Sequence, residues 1–136
     1  MNSQKTMRIL VLDDEPIVCK RLQPALEKKG YDVETFYQSE EALRRFIERP
    51  FDIVITDLKM KGIDGMKFLT EVKKVSPDTE VIVITGFATM ETAKESFRQG
   101  VFDFLAKPFK LSEIQEGIQK AEVKIRQKRE ENKQAQ

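Results

Sequence analysis

Histidine is missing from this 136-residue chain, and cysteine occurs once, as Cys19. Without histidine there are no histidine-based triads, most zinc sites disappear, and no phosphohistidine intermediate can form within the chain. A single cysteine excludes an internal disulfide framework and a cysteine zinc site. Any chemistry must therefore rest on carboxylates, lysines and hydroxyls. Long apolar runs are also missing: Ile9–Leu12, Ile53–Ile55 and Val81–Ile84 are far too short to cross a bilayer. No apolar stretch near the N-terminus follows basic residues, so a signal peptide is not expected and the cytoplasm is the simplest location. Nor is there a charge excess. With 24 basic and 23 acidic side chains the net charge is +1, which gives no reason to expect direct nucleic-acid binding.

What is present is a regular alternation. Met7–Leu12 reads as a buried strand ending at two carboxylates, and Pro16 suits the first turn of a helix. Ile17, Cys19, Leu22, Ala25 and Leu26 approximate a helical stripe that Gly30 stops; Pro24 inside it predicts a kink. Asp32–Phe36 reads as a second strand. Ser39 opens a second helix, carrying Ala42, Leu43, Phe46 and Ile47 and ending at Arg49-Pro50. Phe51–Thr56 follows as a strand buried on both faces. After Gly62 and Gly65, Asp64 is placed to cap a third helix with Met66, Phe68, Leu69 and Val72. Ser76-Pro77-Asp78 is a turn, Glu80–Ile84 a fourth strand, Thr89–Gln99 a fourth helix stopped by Gly100, and Val101–Leu105 a fifth strand. Ser112 and Gln115 predict a capping box for a last helix from about Glu113.

Five strands alternating with five helices imply an α/β fold, a doubly wound five-stranded parallel sheet, with 2-1-3-4-5 as the expected strand order. In such sheets ligands bind beyond the carboxyl ends of the strands. Asp13, Asp14 and Glu15 follow strand one, Asp57 follows strand three, Thr85 closes strand four, and Lys107-Pro108 follows strand five. Carboxylates brought together this way repel one another, and a hard divalent cation such as Mg2+ relieves the repulsion. One carboxylate would then serve as nucleophile toward phosphorus, while Lys107 and Thr85 offer a cation and a hydroxyl to the transferred oxygens.

The spacing Asp13-Asp14, Asp57, Thr85 and Lys107-Pro108 resembles the receiver domains of two-component response regulators, over about the first 120 residues. The resemblance implies a flavodoxin-like receiver fold and a phosphoacceptor, Asp57, that takes its phosphoryl group from a histidine kinase or phosphotransfer protein. It implies Mg2+ bound by Asp14 directly, by Asp13 mainly through water, by Asp57, and by the backbone carbonyl of Lys59. Thr85 and Lys107 would bind the phosphoryl group, and the Lys107-Pro108 bond would be cis. Phe104 stands at the position of the family's switch aromatic, coupled to Thr85, so phosphorylation would remodel the face of the fourth helix, fifth strand and fifth helix. That face could pair with a second copy. Ile84-Thr85-Gly86-Phe87 and Phe102–Phe109 look most like receivers of enhancer-binding transcription activators. The loop after Asp57 departs from many relatives, with Lys61 where they carry proline.

Such a module switches rather than turning over a separate substrate, so it is not expected to be an enzyme. A haloacid-dehalogenase-type phosphohydrolase would want a second aspartate where Lys59 stands, and a flavodoxin-type cofactor loop would not contain Asp13-Asp14-Glu15. Lys59 and Phe87, each two residues beyond a site residue, are expected to shield the phosphoryl group and slow its loss. Cys19, Met60 and Met66 read as packing residues. The expected organisation is a receiver over 1–125 and a polar helix extension or linker over 126–136. Leu111, Ile114, Ile118, Ala121 and Ile125 fit either an ordinary packed helix or a short coiled coil toward an output domain or partner. The chain is either a stand-alone receiver or part of a longer protein.

Overall fold

The computed structural model describes residues 5–59 and 64–135. In chain order the elements are β1 (Arg8–Leu12), α1 (Pro16–Lys28), β2 (Asp32–Phe36), α2 (Ser39–Glu48), β3 (Ile53–Thr56), α3 (Gly65–Val75), β4 (Glu80–Thr85), α4 (Met90–Arg98), β5 (Asp103–Ala106) and α5 (Leu111–Ala135). The strands form one parallel sheet in the order β2-β1-β3-β4-β5. Both the fold class and the strand order expected from the sequence are therefore found.

Alternating side chains of the central strands feed two cores. Ile9, Val11, Ile53, Ile55, Ile82 and Ile84 pack with α1 and α5, while Leu10, Leu12, Val54, Val81 and Val83 pack with α2 and α3. Burial on both faces explains why these strands read as unbroken apolar runs rather than alternating ones. Of the fourth helix, only Ser96 is buried, and Met90 and Phe97 stand exposed.

Several local expectations need correction. Val18 rather than Ile17 completes the buried stripe of α1 with Cys19, Leu22 and Leu26; Ile17 is 63% exposed. Ile17 precedes Leu22 by five residues, which turns it well away from that stripe at 100° per residue. The helix is continuous through Pro24, which is compatible with the expected kink, and Pro24 lies on the exposed face, where the carbonyl it leaves unbonded can be hydrated. β3 starts two residues late, at Ile53, and β5 at Asp103, paired with Ile82. The last helix starts at Leu111, and the Lys110 N–H donates to Glu113 Oε1 at 2.9 Å in place of the expected Ser112 box. It continues without a break past residue 125 to Ala135, with Ile114, Ile118, Ala121 and Ile125 buried. Gly30 and Gly100 do end their helices, both at positive φ (96° and 93°). Asp64 caps α3 by accepting from the Met66 N–H at 2.9 Å. Expectations about Met60, Lys61 and Gly62 fall outside the described residues.

Candidate functional site

The site is pinned by extensions of the strand ladder. The Asp13 N–H donates to the Phe36 carbonyl at 3.1 Å, the Asp57 N–H to the Leu12 carbonyl at 3.1 Å, and the Lys107 N–H to the Thr85 carbonyl at 2.8 Å. Each key residue lies one position past its strand yet remains bonded to a neighbouring strand. Their side chains therefore meet at one rim. The Lys107-Pro108 peptide is cis, as the resemblance implied.

Asp57 is 5% exposed. Its Oδ1 accepts from the Leu58 N–H at 2.6 Å and the Lys59 N–H at 3.2 Å, while Oδ2 accepts from Lys107 Nζ at 2.9 Å. Asp13 is fully buried; its Oδ1 accepts from the Glu15 N–H at 2.9 Å. Its Oδ2 lies 2.8 Å from Lys107 Nζ, an ion-pair distance, and no other group reaches it. Burial pushes the Asp13 carboxyl above its ordinary pKa, and the opposing pull of Lys107 does not cancel it. Burial alone would lower the Lys107 pKa, but its close contacts with the carboxylates of Asp13, Glu15 and Asp57 outweigh this and hold the ammonium above its ordinary value.

Asp14 is exposed, and one oxygen from each of Asp13, Asp14 and Asp57 lies within 4.8 Å of the others. This all-oxygen set, with a buried carboxylate oxygen lacking a hydrogen bond, fits a hard divalent cation. Thr85 is fully buried, and its Oγ1 accepts from the Phe87 N–H at 3.1 Å. Phe104 pairs in register with Val83, which puts it on the same sheet face as Thr85, and it is partly buried against the second core. Lys59 Nζ sits 4.8 Å from the ring centroid of Phe87, which is 52% exposed. Cys19 is buried, with Sγ 3.8 Å from the Asp13 carbonyl, and burial raises its thiol to about 11, so it is inert packing.

Two residues, one of them already placed at the rim, take part in ways that the residue pattern did not predict. At Gly65 an added Cβ would stand 2.5 Å from the Asp57 carbonyl oxygen and 2.5 Å from Leu58 Cα, both backbone atoms. The Gly65 N–H also donates to the Leu58 carbonyl at 3.1 Å, so α3 starts directly on the loop that carries Asp57. The other is Glu15, whose Oε1 lies 2.5 Å from Lys107 Nζ. The signal for Gly65 was its place just inside an N-capped helix; for Glu15 there was only adjacency to Asp14.

Comparison with known proteins agrees with this geometry. Residues 9–119 match the response regulator receiver domain family. The transcriptional regulatory protein ZraR of Salmonella typhimurium is 37% identical over 113 residues, covering 83% of this chain and 26% of that protein. The chain thus spans about a quarter of the length of the curated relatives it matches. A response regulator receiver domain protein from Clostridium thermocellum superimposes with a TM-score of 0.81 at 36% identity, covering 90% of this chain and 97% of that one. The beryllofluoride-activated NtrC4 receiver domain, solved as a dimer, gives 0.82 at 35% identity, with 87% of this chain and 98% of that one covered. With the sheet order, the acidic rim and these likenesses in agreement, the chain belongs to the receiver domain family of two-component response regulators.

Proposed function

We propose that Asp57 is the phosphoacceptor of a switch driven by a histidine kinase or phosphotransfer protein. The observation that carries this is the contact of Asp57 Oδ2 with Lys107 Nζ at 2.9 Å, inside a cluster that also holds Asp13 and Asp14 oxygens. Oδ1 is anchored by two backbone N–H groups, so Oδ2 is the oxygen aimed into the pocket. It forms the new bond to phosphorus as the donor's P–N bond breaks, the electron pair of that bond staying on nitrogen, so that a donor ring protonated at its other nitrogen leaves as neutral imidazole. Lys107 is already in place to balance charge on the transferred oxygens. Asp13, Asp14, Asp57 and the Lys59 carbonyl would hold Mg2+, which would neutralise negative charge on the pocket and the donor.

Phosphorylation adds roughly −1.5 to −2 charge. The Thr85 hydroxyl, now bonded to the Phe87 N–H, turns to the new oxygens, and Phe104 on the same face follows into the space it leaves. The α4–β5–α5 face changes as a result, and a second copy is the partner this reading favours there. The NtrC4 receiver dimer is a precedent within the family. Residues 1–125 are read as the receiver and 126–136 as a polar helix extension or linker toward whatever it controls. On this reading the domain works in the cytoplasm, as a switch without a separate substrate and without direct contact to nucleic acid. No helix among the described residues is long and apolar enough to cross a membrane. Acetyl phosphate and Mg2+ should add one phosphoryl group to the wild-type chain, read by intact mass, and none at this site to Asp57→Asn. Undiminished labelling of that variant would sink the assignment.

A further inference from the structure

Glu15 occupies the N-cap of α1 but does not act as a cap. Good caps are short polar residues whose side chain accepts from an N–H in the first turn. Glu15 makes no such bond; its backbone carbonyl accepts from Val18 N–H at 3.0 Å, while its own N–H goes to Asp13 Oδ1. Its carboxylate reaches instead to Lys107, 92 positions away in sequence. That same ammonium lies 2.9 Å from Asp57 and 2.8 Å from Asp13. Glu15 is outside the group of three carboxylates that could hold a metal, and its side chain is 57% exposed.

We propose that Glu15 is a positioning residue that sets a trade-off between cation binding and phosphoryl transfer. Its charge favours a divalent cation in the pocket, while its bond restrains Lys107 and its charge opposes an incoming phosphoryl group. This rests on the reading of Asp57 as acceptor. An ammonium has three donor hydrogens, and Glu15 occupies one that a phosphoryl oxygen would otherwise take. Coulomb's law gives its field opposite signs toward Mg2+ and toward a phosphate. Removing the charge therefore moves the two measurements in opposite directions, whereas loss of a purely structural contact would weaken both.

Two substitutions in the full chain separate contact from charge. Glu15→Gln keeps the length and loses the charge; Glu15→Asp keeps the charge and falls short of Lys107 by one methylene. Mg2+ affinity is read without phosphodonor, from backbone amide shifts of Leu58 and Lys59, and the labelling rate with acetyl phosphate at saturating Mg2+. For Glu15→Gln the Mg2+ dissociation constant should rise about three- to tenfold, while labelling accelerates roughly two- to fivefold. For Glu15→Asp the dissociation constant should stay within about twofold while labelling still accelerates. Both quantities unchanged in both variants, or both worsening in Glu15→Gln, would overturn the proposal. Wild-type labelling that maps to Asp57 leaves the acceptor reading intact in either case; labelling elsewhere removes that reading instead.

Discussion

The two ends of the sheet treat charge in opposite ways. At the amino end, positive and negative groups are matched. Arg8 stacks on Phe51 with 4.0 Å from its guanidinium carbon to the ring centroid, donates to the Arg49 and Pro50 carbonyls, and pairs with Glu34. Lys124 meets Glu80, Lys128 meets Asp78, and Arg129 meets Asp52, so the far half of α5 is clasped to the bottom of the sheet. A cleft of about 260 Å³ opens there, with Asp52, Asp78, Glu80, Lys128 and Arg129 in its lining, while the proposed chemistry belongs to the other end. At the carboxyl end Asp13, Glu15 and Asp57 gather around the ammonium of Lys107, and an Asp14 oxygen lies within 4.8 Å of those of Asp13 and Asp57. The same apolar strands connect both rims. The matched end is therefore suited to holding the fold, and the mismatched end stores repulsion that a cation or a phosphoryl exchange can act upon.

The contrast breaks most severely at Arg8. Arg8→Ala leaves the Arg49 and Pro50 carbonyls without that donor, takes one of two arginine partners from Glu34 and removes the stack on Phe51. It should cost roughly 2–4 kcal/mol in urea unfolding while folded protein still labels on Asp57. A loss of labelling without a loss of stability would mean that the two ends are coupled. Next is Gly65→Ala, which pushes a methyl group into the Asp57–Leu58 backbone. It should slow labelling by at least about tenfold and cost roughly 1–3 kcal/mol, since backbone cannot yield as a side chain does. Normal labelling kinetics would show that the loop has room to shift.

A pH series sharpens the comparison, because the two ends carry shifts of opposite sign. Asp13 has a raised pKa in the fold, caused first by burial. Its contribution is fully present below the unfolded-state pKa and is lost as pH rises through the folded one. Without metal, Asp13→Asn should therefore be the more stable protein at neutral pH, by about 1 kcal/mol, and the gap should close in acid. Glu34 has a lowered pKa, held down first by its hydrogen bond from Arg45. Its contribution is present above the unfolded-state value and is lost as pH falls through the folded one, so Glu34→Gln should be less stable at neutral pH and converge with wild type in acid. Melting curves across pH 3 to 7 check both signs. The smallest effect is expected at the roof of the acidic rim. Phe87→Ala removes the ring beneath Lys59 and should shorten the lifetime of the label by a few-fold, followed by mass spectrometry. An unchanged lifetime would mean that the ring does not shield the phosphoryl group.

Much of this was legible in the chain. Ile53-Val54-Ile55 and Val81–Ile84 announce strands buried on both faces, and Asp57 follows the first of these runs after the single residue Thr56. Asp13, Asp57, Thr85 and Lys107 could be placed because strand ends in a doubly wound sheet share one rim. Ile17 was misplaced because a stripe shifted by one residue still holds apolar residues, and only packing against the sheet selects the face that is buried. The start of α5 was misplaced because Ser112 and Glu113 both offer capping oxygens, and it is Glu113 that accepts, from the Lys110 N–H.

The sequence by itself determined the strands, the helices and the residues that end each strand, because side-chain period and strand ends follow from local pattern. Only the tertiary structure decided how charge is shared among them. Lys107 divides its ammonium among three carboxylates, Asp13 keeps a buried oxygen without a hydrogen bond, and Gly65 lies against the backbone of Asp57. The reason is physical: electrostatic energy depends on burial and on distances between residues far apart in the chain, and no local pattern carries those distances.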